Sequence, residues 1–145
     1  MNNKMKIDNL ENKKVMDELS VMDEMLNFNN SNILEIGCGN AKRAQEIVLS
    51  RNISSFKAVE VDLTAHKINL SKNINKLNFD SYPCEDIREE DQSFDIVMML
   101  KSFHHVSPNK MFVGLKEINR VLKSSGLLYI SEPIFNGNYN NVIRI

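Results

Sequence analysis

The run Ile33-Leu34-Glu35-Ile36 leads into Gly37-Cys38-Gly39-Asn40, and a helical pattern follows with Ala41, Ala44, Ile47 and Val48 on one face. A buried strand, a tight turn and a helix start, in that order, form the unit that builds nucleotide-type cofactor sites in α/β proteins. Glycine suits such a turn because a residue without Cβ takes positive φ freely and lets a ligand press against the backbone. Gly-x-Gly turns also occur in dehydrogenases and in plain strand-to-helix connections, so the turn alone leaves its ligand open. Two details narrow it. Asn40, Ala41, Lys42 and Arg43 follow the turn, so the third glycine of a dinucleotide fingerprint is absent. Glu35 lies just before the first glycine, where a carboxylate repels a pyrophosphate and attracts a ligand carrying an ammonium group.

The segment Phe56-Lys57-Ala58-Val59-Glu60-Val61-Asp62 reads as a second buried strand ending in an acid. Asp62 lies about twenty residues beyond the glycine turn, the offset at which an acidic side chain reaches ribose hydroxyls. Its two acceptor oxygens can take both protons of a diol. Glu60 competes for that role, since strand alternation puts it on the same side, but Asp62 is nearer the carboxyl end. Asp62 can equally cap a helix. The helix pattern itself runs from Thr64 to Leu77, with Thr64 as its cap. Asn78 to Cys84 reads as a third strand, weakened by Pro83 and therefore an edge. It leads into Glu85-Asp86-Ile87, where a carboxylate can accept from an exocyclic amine and Ile87 can pack on a purine face. The same acids, with Glu89, Glu90 and Asp91, also read as a solvated loop.

Phe94 to Leu100 is a fully buried strand, apolar except for Asp95. Ser107-Pro108 opens a helix, serine as cap and proline in the first turn. Its stripe predicts burial of Phe112, Leu115, Ile118, Val121 and Leu122, and Leu127 to Ser131 is a fifth strand. Ahead of the first strand, Glu11 to Phe28 carries a helical stripe of Val15, Met16, Leu19, Met22, Met25 and Leu26. Asn27, Asn29, Asn30, Ser31 and Asn32 break it. Strands alternating with helices imply an α/β fold, a doubly wound parallel sheet with right-handed crossovers. The expected organisation is a helical segment over residues 1–30, packing on or capping the site, and a cofactor-binding domain over 31–145.

Taken together, these motifs resemble the class I S-adenosylmethionine (SAM)-dependent methyltransferases, in the small-molecule branch that includes the ubiquinone and menaquinone C-methyltransferases. The resemblance covers about Ile33 to Pro133. It rests on Leu34 to Gly39, Val61-Asp62-Leu63-Thr64, Glu85-Asp86-Ile87, Ser93 to Leu100, Phe103-His104-His105-Val106, Glu117 to Gly126 and Tyr129 to Pro133, in that order. It implies a Rossmann-like sheet, SAM as cofactor, and transfer of the sulfonium methyl to a small-molecule acceptor by in-line displacement. It implies Glu35 near the cofactor ammonium and the backbone of Gly37, Cys38, Gly39 and Asn40 against the methionine part. Asp62 and Leu63 would meet the ribose, Asp86 and Ile87 the adenine, and Leu100 and Lys101 would border the methyl group. His104 and His105 are the titratable candidates for a general base. Paired histidines there equally read as structural, and carbon methylation of an activated ring needs no strong base.

The chain departs from the family at Ala41, where a third glycine is usual, and at Ser124-Ser125-Gly126, where Pro-Gly is usual. The expected result is a weaker or shifted cofactor contact and an unchanged fold. The family fold continues past the fifth strand with a helix and an antiparallel strand pair. With the sequence ending at Ile145, that pair is expected to be lacking. The fifth strand would then expose an edge that recruits a second copy.

Composition bounds the rest. The 145 residues suffice for one domain with a core. A net charge of −1, with Lys and Arg spread along the chain, argues against an obligatory nucleic-acid partner. The two cysteines, Cys38 and Cys84, are placed in a turn and at a strand end, which predicts no disulfide and a cytoplasmic location. No apolar run suits a membrane span, and no metal-ligand spacing occurs. Two other classes stay open: a SAM-binding protein without methyl transfer, regulatory or a half-enzyme, and a nicotinamide oxidoreductase. Glu35 and the absent third glycine oppose the latter.

Overall fold

The computed structural model describes residues 16–133. The apolar runs form strands β1 (Asn32–Ile36), β2 (Ser55–Val59), β3 (Leu77–Asp80), β4 (Phe94–Leu100) and β5 (Leu122–Ser131). Between and ahead of them lie helices α1 (Glu18–Met25), α2 (Lys42–Ser50), α3 (Leu63–Leu70) and α4 (Pro108–Val121). The strands make one sheet in the order β3-β2-β1-β4-β5, and every neighbouring pair is parallel. This is the Rossmann-like doubly wound sheet expected, with no antiparallel strand among the described residues. Strand β3 is an edge, as Pro83 predicted. Alternation sends successive residues to opposite faces. Ile33, Phe56, Ile96 and Met98 join one core cluster with Leu19, Met22, Ala44 and Ile47. Leu34, Val59, Val97 and Met99 join the other with Tyr82, Ile118 and Val121. Both faces are covered, which is why the central strands read as continuous apolar runs.

Several element boundaries differ from the sequence reading. Of the helix read over Glu11 to Phe28, Val15 lies outside the described residues and the helix runs only from Glu18 to Met25. Asp17 stops it at one end by accepting the Leu19 and Ser20 N–H groups at 3.0 and 3.4 Å. At the other, Asn27 accepts the Asn29 N–H and its carbonyl takes the Ser31 hydroxyl, which turns the chain into β1. Leu26 and Phe28 remain buried beyond the helix. The helix read from Thr64 to Leu77 ends at Leu70, and its cap is Asp62, not Thr64. The Ser71 hydroxyl bonds back to the Ile68 carbonyl at 2.7 Å, a local alternative to another helical turn. Strand β2 ends at Val59 rather than Asp62, and β3 at Asp80 rather than Cys84. Strand β5 starts at Leu122, directly after α4, but Phe94 faces Leu122 and Ile96 already faces Leu127. The intervening Lys123 to Gly126 loop out of the ladder, so the turn read at Ser124-Ser125-Gly126 sits inside the strand.

Helix α4 buries Ile118 and Val121 as read in sequence, but not Phe112 or Leu115. Gly114, Ile118 and Val121 face inward, whereas Phe112 is 67% exposed and Leu115 is also exposed. Lys116 lays its ammonium 4.5 Å from the Phe112 ring. The cause is a close approach: a Cβ on Gly114 would lie 2.6 Å from the Cys84 sulfur. The helix rotates its smallest residue onto the sheet and turns the aromatic outward. On β5, Leu127, Leu128 and Ile130 are exposed, and the outer edge has no partner strand among the described residues. The segment after Pro133, on which the expectation about the chain end rests, lies outside the described residues.

Gly114→Ala tests that contact. Alanine improves helix propensity by about 1 kcal/mol, but overpacking a core costs about 1–3 kcal/mol. Net destabilisation is expected in urea unfolding, and Cys84→Ala in the same chain should recover most of it.

Candidate active site

Strand β1 lies between β2 and β4, so the connections leaving the carboxyl ends of β1 and β4 diverge to opposite sides and leave a crevice. A cleft of about 1140 Å³ opens there. Its walls are the glycine turn, the end of β2, Cys84 and Glu85, the residues following β4, and Asp17 and Glu18 at the start of α1.

Gly37 and Gly39 both have positive φ, +75° and +53°. A Cβ on Gly37 would lie 2.5 Å from the Ser102 Cβ, because Ser102 is held against β1 by donating its hydroxyl to the Ile36 carbonyl at 2.8 Å. Gly37 is thus demanded by the loop after β4, a contact invisible in the local pattern. A Cβ on Gly39 would meet nothing within 4 Å, so that face of the backbone is open. Ala41, in place of the family's usual glycine, has φ +54° and caps α2 without a side-chain bond. The left-handed region costs an L-residue about 1–2 kcal/mol. Its methyl packs in the core with Ala44 and Ile47, and Ala41 does not line the cleft.

Glu35 lines the cleft yet is only 3% exposed, and its Oε2 has no hydrogen-bond partner. Burial pushes its carboxyl up to about 8; Glu18 and Glu60 add to the rise and Arg43 opposes it. An unsatisfied buried acceptor costs about 1–3 kcal/mol, which a ligand donor can recover. The same burial, with Glu35 and Glu60 nearby, lifts the Cys38 thiol to about 12, so Cys38 is inert as a nucleophile.

Asp62 lines the cleft, and both its cap bonds, to Thr64 N–H at 2.7 Å and Ala65 N–H at 3.1 Å, fall on Oδ1. The cap therefore occupies Oδ1 and leaves Oδ2 clear of it. Glu60 is buried and accepts the Gly39 and Asp62 N–H groups. Its own N–H donates to the Asp80 carbonyl at 3.1 Å, the last bond toward β3. Four residues named from sequence, Leu63, Asp86, Ile87 and His104, lie off the cleft wall, which runs through Pro83, Cys84 and Glu85 where Asp86 and Ile87 were expected. Asp86 is exposed with its carboxylate 3.6 Å from Arg88, Ile87 is in the core cluster under α4, and Leu63 is 72% exposed. Leu100 and Lys101 line the cleft, Lys101 with φ +54° and its ammonium 3.7 Å from Glu18. His105 lines the cleft and His104 does not; their ring centroids lie 4.0 Å apart with the planes tilted by 45°. His104 Nδ1 pairs with Glu132 at 2.5 Å, and Glu132 also accepts the Phe103 N–H at 2.7 Å. Ser102, Glu132 and α1's Asp17 and Glu18 went unnoticed in the sequence because nothing local marks residues that meet only through the fold.

A parallel sheet with a glycine turn and acids lining a cleft at the switch point is the arrangement of Rossmann-like proteins, which bind nucleotide-type ligands at this place. The methyltransferase-domain family matches residues 34–130, and the chain belongs to it: it is a class I methyltransferase-family protein, whose cofactor is SAM. It is 31% identical over 130 residues to the mitochondrial ubiquinone biosynthesis O-methyltransferase of Candida albicans, covering 84% of this chain and 38% of that one. It is 32% identical over 110 residues to the ubiquinone/menaquinone biosynthesis C-methyltransferase of Geotalea daltonii, covering 71% and 46%. The chain spans less than half the length of these relatives. Among solved structures, the YcgJ protein from Bacillus subtilis matches with a TM-score of 0.71 at 22% identity, over 79% of this chain and 49% of that one. Among the described residues, no helix is long and apolar enough to cross a membrane, and no cluster of side chains suits a metal ion.

The raised Glu35 pKa makes stability depend on pH with a definite sign. Between the ordinary value of 4.5 and about 8, the folded ligand-free protein holds a proton that the unfolded chain has lost. Stability therefore falls as pH rises through that window, by a few kcal/mol in all. Glu35→Gln should flatten this decline in urea titrations across the same pH range; parallel curves for the two proteins would contradict the assignment.

Proposed function

We propose that this chain binds SAM in the cleft and transfers its methyl group to a small-molecule acceptor. The observation that carries the reading is the buried, unpartnered Glu35 carboxylate beside the two positive-φ glycines. When bound, SAM supplies an electrophilic methyl on a cationic sulfur. Glu35 would receive its ammonium, and the backbone of Gly37, Cys38, Gly39 and Asn40 would border its methionine part. Asp62, with Oδ1 spent on the helix cap, would offer Oδ2 to the ribose, next to Leu63. Asp86 and Ile87 would reach the adenine by a shift of the loop that now presents Cys84 and Glu85. Leu100, Lys101 and His105 would border the acceptor. The cleft is large enough for two reactants, since single-ligand pockets run to about 1,000 Å³. The work of the chain is to align them and exclude water.

His105 is the better placed of the two histidines to take a proton from an acceptor hydroxyl, because His104 is tied to Glu132. Of the N-terminal segment 1–30 and the domain 31–145, residues 1–15 and 134–145 lie outside the described residues; the described part of the segment, from Met16, would cap the site. The bond from Ser131 to Glu18 at 2.5 Å, and Arg43 at 3.8 Å from the same carboxylate, support that placement. Relatives named as O- and C-methyltransferases support a small-molecule acceptor methylated at oxygen or carbon. We place the protein in the cytoplasm, and its β5 edge, which has no partner strand among the described residues, would pair with a second copy.

Calorimetry should show binding of SAM and S-adenosylhomocysteine and none of NAD. Asp62→Asn preserves a good helix cap and should weaken SAM on the order of tenfold, the scale of one charged hydrogen bond. Unchanged affinity would remove Asp62 from the site. Sedimentation should give a dimer for the wild type and a monomer for Leu128→Lys.

A further inference from the structure

Glu60 has no part in the chemistry above, yet it is buried at the cleft. Its Oε2 accepts the Gly39 N–H at 2.6 Å and its Oε1 accepts the Asp62 N–H at 2.9 Å. One carboxylate therefore bridges the glycine turn and the loop that carries Asp62. Two carbonyls of the turn are held by α3 and the residues after it. Asn69, fully buried on α3, donates to the Gly39 carbonyl at 2.7 Å, and Lys72 bonds both the Asn69 Oδ1 and the Asn40 carbonyl. Both backbone polar groups of Gly39 are thus taken by side chains, and its N–H is not free for a ligand. Charge-assisted bonds are short and about twice as strong as neutral ones. This carboxylate is the side-chain link between the two loops, beside the Val59 carbonyl that accepts the Gly37 and Cys38 N–H groups at 2.9 Å each.

We propose that Glu60 is a positioning residue: it sets the separation between the turn facing the methionine end of SAM and the loop facing its ribose, so that the intact cofactor binds better than its parts. The inference rests on the reading of the cleft as a SAM site. Holding two subsites at a fixed spacing lowers the ordering cost of a ligand that spans them and does nothing for a ligand that fills one. A residue acting instead through its negative charge would favour cationic SAM over S-adenosylhomocysteine, which lacks the sulfonium charge. A residue that merely holds the fold together would weaken every ligand alike.

The test compares SAM, S-adenosylhomocysteine and adenosine by calorimetry on the wild type, Glu60→Gln and Glu60→Asp. Glutamine keeps the length but turns one acceptor into a donor. Aspartate keeps the charge but is one methylene too short to span both N–H groups, and it carries the test should the glutamine variant not fold. Thermal unfolding without ligand identifies the folded proteins. Each variant is expected to weaken SAM and S-adenosylhomocysteine by the same factor, on the order of tenfold, as one lost charged hydrogen bond implies. Adenosine should stay within about twofold, since a ligand of one subsite does not sense their spacing. Loss confined to SAM in Glu60→Gln, with Glu60→Asp unaffected, would make Glu60 a charge contact and overturn the proposal. Equal loss for adenosine, or no loss for any ligand, would overturn it as well. A wild type that binds none of the three would instead overturn the cofactor reading of the cleft, and this inference with it.

Discussion

The parallel pairing of β1 with β2 on one side and β4 on the other is the constraint from which the rest follows. Two chain connections must leave the same edge of the sheet in opposite directions, and the space between them is the cleft. Closing β4 against β1 brings Ser102 onto Ile36, which leaves no room for a side chain at Gly37. Closing β2 against β1 brings Glu60 onto Gly39. The glycine turn is therefore gripped from both neighbours, and its shape belongs to the sheet as much as to its own residues.

The site is costly to build without a ligand. Glu35 and Glu60 are two buried carboxylates near one another, and only Glu60 is satisfied, by two N–H groups. Glu35 answers the expense by holding a proton far above its ordinary range. A cationic partner reverses that preference, because opposite charge favours the ionised form. A ligand without a cation leaves that proton in place, so the burial that makes the empty cleft costly also favours a cationic ligand.

Helices α3 and α4 show how packing overrides periodicity. In α3 the apolar Leu63, Ile68 and Leu70 face solvent while Asn69 is buried, because the glycine turn offers carbonyls for an amide to hold. In α4 the aromatic Phe112 faces out while Gly114 faces in, because Cys84 stands too close for any side chain. In each case a specific backbone approach outweighs the burial of a large side chain.

What could be read from the sequence alone was whatever depends on neighbours in the chain. The glycine turn, the apolar β4, the Ser-Pro start of α4, the edge status of β3 and the parallel doubly wound order all follow from local patterns of polarity and turn chemistry. So did Glu35, Gly37, Gly39 and Asp62 as residues of one cleft. What the tertiary structure decided was every contact between segments distant in sequence. It made Glu60 a bridge, set Cys84 and Glu85 on the wall where Asp86 and Ile87 were expected, and separated His105 in the cleft from His104 on Glu132. Those outcomes depend on which backbones approach within a few ångströms of one another, and that is determined only when the sheet closes.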